Sequence, residues 1–214
     1  MTIVIINPNS TTAMTDAMVE TARATAPSAE FIGITSHGGP PAIQGPEDGE
    51  RAIQPLLLCV DSARELGARV IIIGCFDDTG LGEARARARS GCPVIGIGQA
   101  ACLAAAALGG RFSVVTTLAV SVPVIEENII RYGLSGSIGR VRASGVPVLD
   151  LERSPEFAAR RVISEIRLAA ELDGVGAIVA GCAGMIDIPR LAARTVRVPV
   201  VDGVRAAASL AALC

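Results

Sequence analysis

Two cysteines stand in matching surroundings, Gly74-Cys75-Phe76-Asp77-Asp78 and Gly181-Cys182-Ala183-Gly184-Met185, 107 residues apart. Each follows a run of β-branched and small apolar residues, VIIIGC and AIVAGC, which reads as a buried strand delivering a thiol just past its end. Two thiols on opposite sides of one carbon could remove a proton from one face and return one to the other. That chemistry inverts a stereocentre, with one sulfur as thiolate, the other as thiol, and the roles exchanged for the other enantiomer. An unperturbed cysteine has a pKa of roughly 8.5, so both forms are within reach near neutrality, and a helix N-terminus behind the sulfur would lower it further. A thiolate is a weak base toward C–H, each pKa unit of mismatch costing about 1.4 kcal/mol. Such a site needs donors for an enolate-like oxygen, each worth about 3–4 kcal/mol. The turns Phe76-Asp77 and Ala183-Gly184 are the natural source of backbone N–H groups. The polar strand exits, Asn7 to Ser10 with Asn9 and Ser10 foremost, and Thr116-Thr117, should line the same cleft, and Gly74 and Gly181 would let backbone approach a ligand.

What is missing narrows the chemistry. All 19 basic residues are Arg, which excludes a lysine Schiff base and a P-loop lysine within the chain. His37 is the single histidine and no C-x-x-C occurs among the six cysteines, so no metal site is expected. A net charge of −2 and an aromatic content of 2% speak against nucleic acid as a partner. The longest apolar stretch, 100–108, is too short to span a bilayer, and Met1 runs straight into a strand-like segment without a signal peptide. The expected location is the cytoplasm, where the cysteines stay free thiols.

The elements that must position these residues alternate along the chain. Strands are predicted over 3–6, 31–35, 70–73, 94–96, 112–116, 146–149, 177–180 and 199–201, and helices over about 11–25, 47–66, 99–108, 122–132, 154–171 and 204–213. This pattern implies an α/β fold with parallel sheets flanked by helices. The chain also looks duplicated: PVIGIGQAACLAA from Pro93 resembles PVVDGVRAAASLAA from Pro199, and VIINPNST from Val4 resembles SVVTTLAV from Ser113, at offsets of 106 and 109. With the Gly-Cys pair, these matches predict two pseudo-symmetric lobes, 1–96 (with the helix 204–214 packing back on it) and 97–203. Ligands of open parallel sheets sit beyond the carboxyl ends of the strands. A pseudo-dyad would therefore bring Cys75 and Cys182 to opposite sides of one cleft.

At these residues the chain resembles a known family. INPNST at 6–11, GCFDDTGL at 74–81, FSVVTT at 112–117, SGVPVLDLE at 144–152 and GCAGM at 181–185 are similar to hydantoin racemases of the aspartate/glutamate racemase superfamily, with allantoin racemases as near relatives. The likeness runs from Ile3 to about Ala207. It implies a two-lobed α/β fold, no metal or cofactor, Cys75 and Cys182 as acid and base, a small-molecule ureide (a 5-substituted hydantoin or allantoin) as substrate, and a homo-oligomer. Thr79 stands where the family usually has Pro after the paired aspartates.

Other residues carry plainer readings. Cys59 and Cys102 read as core residues, and Cys92 and Cys214 as incidental. GIGQAA at 96–101 fits a dinucleotide fingerprint but lacks the acidic partner at the next strand end. His37 lies in the loop SHGGPPAIQG as an exposed residue; that loop is expected to cover the cleft, with Gln44 near substrate. Asp77 and Asp78 suit either a helix cap or substrate contact. Arg85, Arg87 and Arg89 suit a solvated face or a subunit contact. A one-thiol decarboxylase, a thioether-forming cis–trans isomerase and a two-lobed sensor are the rival readings.

Overall fold

The computed structural model describes residues 2–88 and 91–214, so Arg89 lies outside the described residues. In the first half, β1 (Thr2–Asn7), α1 (Thr12–Thr25), β2 (Glu30–Thr35), α2 (Pro46–Glu65), β3 (Val70–Ile73), α3 (Leu81–Ala88) and β4 (Val94–Gly96) alternate strictly. After α4 (Ile97–Gly109), the second half runs β5 (Phe112–Thr116), α5 (Val122–Arg131), β6 (Ile138–Ala143), α6 (Asp150–Arg153), α7 (Pro155–Leu172), β7 (Ala177–Gly181), α8 (Ile188–Ala192), β8 (Val200–Asp202) and α9 (Gly203–Ala211). The strands form two parallel sheets of four, ordered β2-β1-β3-β4 and β6-β5-β7-β8. The same order appears twice, as the duplicated sequence requires. No described helix is long and apolar enough to cross a membrane.

Period-two alternation sorts the side chains. Val4, Ile6, Ile71 and Ile73 face α2 and α3, while Ile3, Ile5, Val70 and Ile72 face the opposite layer. That second layer holds buried residues of α1, α4, α5 and α9 and is shared with Phe112, Val114, Ala177 and Val179 of the other sheet. The outer face of the second sheet packs Val115, Ile178 and Ala180 against α7 and α8. One continuous core thus joins the two sheets through the helices between them.

The strand expected at 146–149 is not formed, and β6 lies earlier, at Ile138–Ala143. Pro147 has no N–H to give a ladder, so Val146 and Val148 are buried without sheet pairing. The true edge strand, IGRVRA, hides behind two arginines and a register irregularity opposite Phe112 and Val114. Helix α3 falls where no helix was expected. Its buried stripe is Leu81, Ala84 and Ala88, a helical spacing built mostly from alanine. Its arginines are engaged within the chain: Arg87 pairs with Asp61, and Arg85 donates to the Val94 carbonyl and to Gln99.

Candidate active site

In each sheet the chain order reverses between the two central strands, β1 and β3 or β5 and β7, which opens a crevice at their carboxyl ends. Both crevices face one shared cavity, partly open to solvent. Cys75 follows β3 and Cys182 follows β7, and both line this cavity with Asn9, Phe76, Asp77, Thr116, Thr117, Gly181, Ala183 and Gly184. Gly74, expected to let backbone approach a ligand, also lines it, whereas Met14, Ile43, Ser121 and Val148 were not expected there. Ile43 lies in the loop expected to cover the cleft, Met14 in a helix with no such expectation, and Val148 in a segment expected to be a strand.

Ser10 and Gln44 are not among the lining residues. Ser10 donates its N–H to the Pro40 carbonyl, 2.9 Å, tying the strand exit to the loop. Gln44 accepts from the Val148 N–H, 2.9 Å, and its own N–H donates to Asp48. It therefore pins the loop rather than reaching the cavity, and Ile43 beside it supplies the lining. Ala42, Met14 and Val148 form a small apolar cap with Cys182 packed against it. His37 is exposed on the same loop.

The polar exit of β1 is held from beneath. Asn7 is fully buried; its Nδ2 donates to Asn9 Oδ1, the Thr11 carbonyl and Thr15 Oγ1, and its Oδ1 accepts from the Asn9 N–H. Asn9 Oδ1 also accepts from the Thr11 N–H, which orients the Asn9 amide so that its Nδ2 points to the cavity side, 3.4 Å from the Met14 sulfur. Thr116 Oγ1 donates to the Gly181 carbonyl and joins the ends of β5 and β7. The glycines before the cysteines serve packing. A Cβ at Gly74 would stand 2.6 Å from the Met18 sulfur, and one at Gly181 2.9 Å from the Val115 carbonyl.

The paired aspartates divide their roles. Asp77 lines the cavity, and its carboxylate accepts from Ser121 Oγ at 3.0 Å. Asp78 turns away, accepting from the N–H groups of Gly98 and Gln99 at the start of α4 and from the Tyr132 hydroxyl. Burial pushes both carboxyls up to about 6.

Cys75 and Cys182 are half-buried residues, and their acidity runs against the expectation of near-neutral cysteines. Burial, reinforced by the charge of Asp77, pushes Cys75 up to about 12. The N–H groups of Asp77 and Thr79 and the Thr79 hydroxyl, 3.4 Å from the sulfur, act in the other direction. A proline at position 79 would supply neither of the last two contacts. Cys182 is pushed up to about 12 by the same burial, opposed by the Gly184 N–H and reinforced by Asp77. No α-helix begins at either sulfur: Cys75 is followed by turns to Leu81, and Cys182 by a short 3₁₀ turn over Ala183–Met185. Among the described residues, Asp77 is thus the one charge that acts on both thiols.

The Asp/Glu/Hydantoin racemase family profile matches residues 3–211. The chain belongs to the Asp/Glu/Hydantoin racemase family. A hydantoin racemase of Rhizobium meliloti is 40% identical over 212 residues, 99% of this chain and 87% of that protein. A hydantoin racemase of Pseudomonas sp. (strain NS671) is 33% identical, covering 99% and 84%. Among solved structures, an allantoin racemase from Klebsiella pneumoniae superposes with a TM-score of 0.94 at 36% identity, covering 99% of this chain and 86% of that one. As a member of the family, the chain is an isomerase, a racemase with two α/β lobes.

Proposed function

We propose that this racemase inverts the stereocentre of a neutral cyclic ureide, a 5-monosubstituted hydantoin, without a cofactor, with Cys75 and Cys182 acting on opposite faces. The observation that carries the reading is the composition of the shared cavity. Two thiols and one carboxylate line it, with no Arg or His among its described lining residues. A free amino acid or a dicarboxylate would have to bury its own carboxylate beside Asp77 without a cation, which is strongly unfavourable. A ureide ring instead offers N–H groups to Asp77 and carbonyl oxygens to Asn9 and Thr117. The apolar cap of Met14, Ala42 and Val148 suits a hydrocarbon substituent at C5.

The raised thiols set the energetic problem. Deprotonating a thiol held near 12 costs about 7 kcal/mol at pH 7, five units at about 1.4 kcal/mol each. Part of that elevation comes from the Asp77 charge, so a ring N–H donated to Asp77 makes either sulfur easier to ionise. Substrate binding and base formation are then coupled. The thiolate takes the C5 hydrogen, the C–H electron pair moves into the adjacent C4 carbonyl, and the enolate oxygen accepts from the Asn9 amide and turn N–H groups. The opposite thiol donates its proton to C5, leaving inverted product and a thiolate on the other sulfur. Exchange with solvent restores the starting form.

The test is hydrogen exchange in D2O with each enantiomer, in wild type, Cys75→Ser and Cys182→Ser. Each variant is expected to lose inversion while one hand, opposite in the two variants, still exchanges its C5 hydrogen. Inversion at the parental rate in either variant would sink the mechanism. The likeness to an allantoin racemase supports allantoin as the second reading, since it carries the same ring with a polar ureido substituent. Comparing kcat/KM for allantoin and an alkyl hydantoin decides between them.

A further inference from the structure

We propose that Asp78 and Tyr132 form a strap that positions Cys75, and not Cys182, for proton transfer. The proposal rests on the two-thiol reading above.

The two thiols occupy equivalent turns. The Asp78 N–H donates to the Cys75 carbonyl at 3.0 Å, and the Met185 N–H donates to the Cys182 carbonyl at 3.0 Å. Beyond that bond the turns part. Asp78 has φ +47°, and it is the sole non-glycine residue with positive φ among the described residues. A residue with a side chain holds that backbone only where its surroundings impose it. Here they are three bonds to the carboxylate: the Gly98 N–H at 3.0 Å, the Gln99 N–H at 2.8 Å and the Tyr132 hydroxyl at 2.5 Å. Gly96 keeps the space clear, since a Cβ there would run into that carboxylate, and a Cβ at Gly98 would run into the Phe76 carbonyl of the same turn.

Tyr132 directly follows α5, and Asn128 on the same helix donates to the Asp77 carbonyl at 2.7 Å. One helix of the second half therefore grips two successive residues of the Cys75 turn. Among the described residues no side chain from another element bonds Ala183, Gly184 or Met185 of the Cys182 turn: Met185 stands in the place of Asp78 and is buried in the apolar core, and the nearest such bond comes one residue later, from Arg205 to the Ile186 carbonyl at 2.7 Å. Capping a helix does not explain the difference. In the second half, α9 is capped by Asp202 at its own strand end, accepting from the Val204 N–H at 2.7 Å. The equivalent strand end in the first half is Gly96, and the capping carboxylate has been moved onto the thiol's own turn.

Tyr132→Phe removes only the hydroxyl and keeps the ring's packing. It is expected to lower kcat about ten-fold with KM little changed. In D2O the effect has a hand. The enantiomer whose hydrogen Cys182 removes should gain deuterium before it inverts, because Cys75 returns the second proton slowly. That is the hand that still exchanges in Cys75→Ser. Equal wash-in for both hands, or wash-in on the hand that exchanges in Cys182→Ser, overturns the strap. Alkylation by iodoacetamide, read by peptide mass spectrometry, gives a measure that needs no turnover. Tyr132→Phe should change the Cys75 rate several-fold and leave Cys182 unmoved; equal changes, or none, overturn the proposal. Inversion surviving in Cys75→Ser would instead overturn the two-thiol mechanism, and the alkylation result would still decide whether Tyr132 holds Cys75.

Discussion

Asp77 marks the point where the duplicated halves stop being equivalent, because its counterpart is Gly184. A single carboxylate raises both thiols, so removing its charge must act on both. Asp77→Asn keeps an oxygen for Ser121 and for a ring N–H. It should move the acid limb of the pH profile of kcat/KM downward by about one unit, because each thiol ionises more easily without a like charge beside it. An unmoved limb would mean that Asp77 does not set the thiols' acidity. Stability should respond as well. The Asp77 carboxyl sits near 6 in the fold against 3.8 in an ordinary setting, so the native state holds its proton longer than the unfolded chain. Stability therefore falls as pH rises from about 4 to 6, and the full penalty persists above that window. Asp77→Asn should be more stable than wild type by about 1–3 kcal/mol at pH 7 and similar to it at pH 3.5, measured by urea unfolding. At this scale the sequence was highly legible: repetition of Gly-Cys located both sulfurs, and the polar strand exits located Asn9, Thr116 and Thr117. Long-range bonds were not legible. Nothing local in the sequence tells that Asp78 reaches Tyr132, 54 residues on, or that Gln44 holds a backbone N–H 104 residues on.

The least legible elements owe their form to ion pairs and alanines rather than to apolar periodicity. Strand β6 is the clearest case, since Arg142 on this edge strand holds Asp173 at 2.6 Å and Glu165 at 2.8 Å, binding β6 to the end of α7. Ser113 on β5 also donates to Asp173. The Arg142 guanidinium keeps the Asp173 carboxyl below the usual carboxylate range, against the opposing effect of burial. Arg142→Met leaves Asp173, whose side chain is 4% exposed, without its cation and should cost about 2–4 kcal/mol in urea unfolding. The sign with pH is fixed by the depressed carboxyl: the pair's contribution is present above the ordinary carboxylate range and fades as pH falls through the folded value. The variant's deficit should therefore shrink in acid, and a deficit constant with pH would refute the pairing as its source. Helices with mixed apolar and charged faces, such as α2 and α7, were placed to within two residues, while α3, α6 and α8 were missed because their buried stripes are short or made of alanine.

Across the whole molecule, the two halves meet where α4 and α9 begin. A Cβ at Gly203 would lie 2.7 Å from the Ile97 carbonyl, so the two helix starts approach as closely as a missing side chain permits. Gly203→Ala should push them apart, lowering the melting temperature and reducing kcat. Gly82→Ala, where a Cβ meets nothing within 4 Å, serves as the control expected to do neither. If both variants behave alike, the close approach has no bearing on the cavity. The double sheet was foreseeable from three repeated motifs. The shared central layer was not, because repetition reveals that two units are alike without revealing which faces they bury against each other.

That layer has a consequence for the polypeptide as a covalent object. Ile3 and Ile5 from one sheet, Val114 and Val179 from the other, and the small side chains of α4 and α9 belong to a single apolar cluster. Severing the backbone between β4 and β5 would give two fragments that each bare a greasy flank, with the C-terminal helix still owed to its neighbour. Neither piece has the means to stay dissolved by itself, and co-expressed they should be recovered only as a complex.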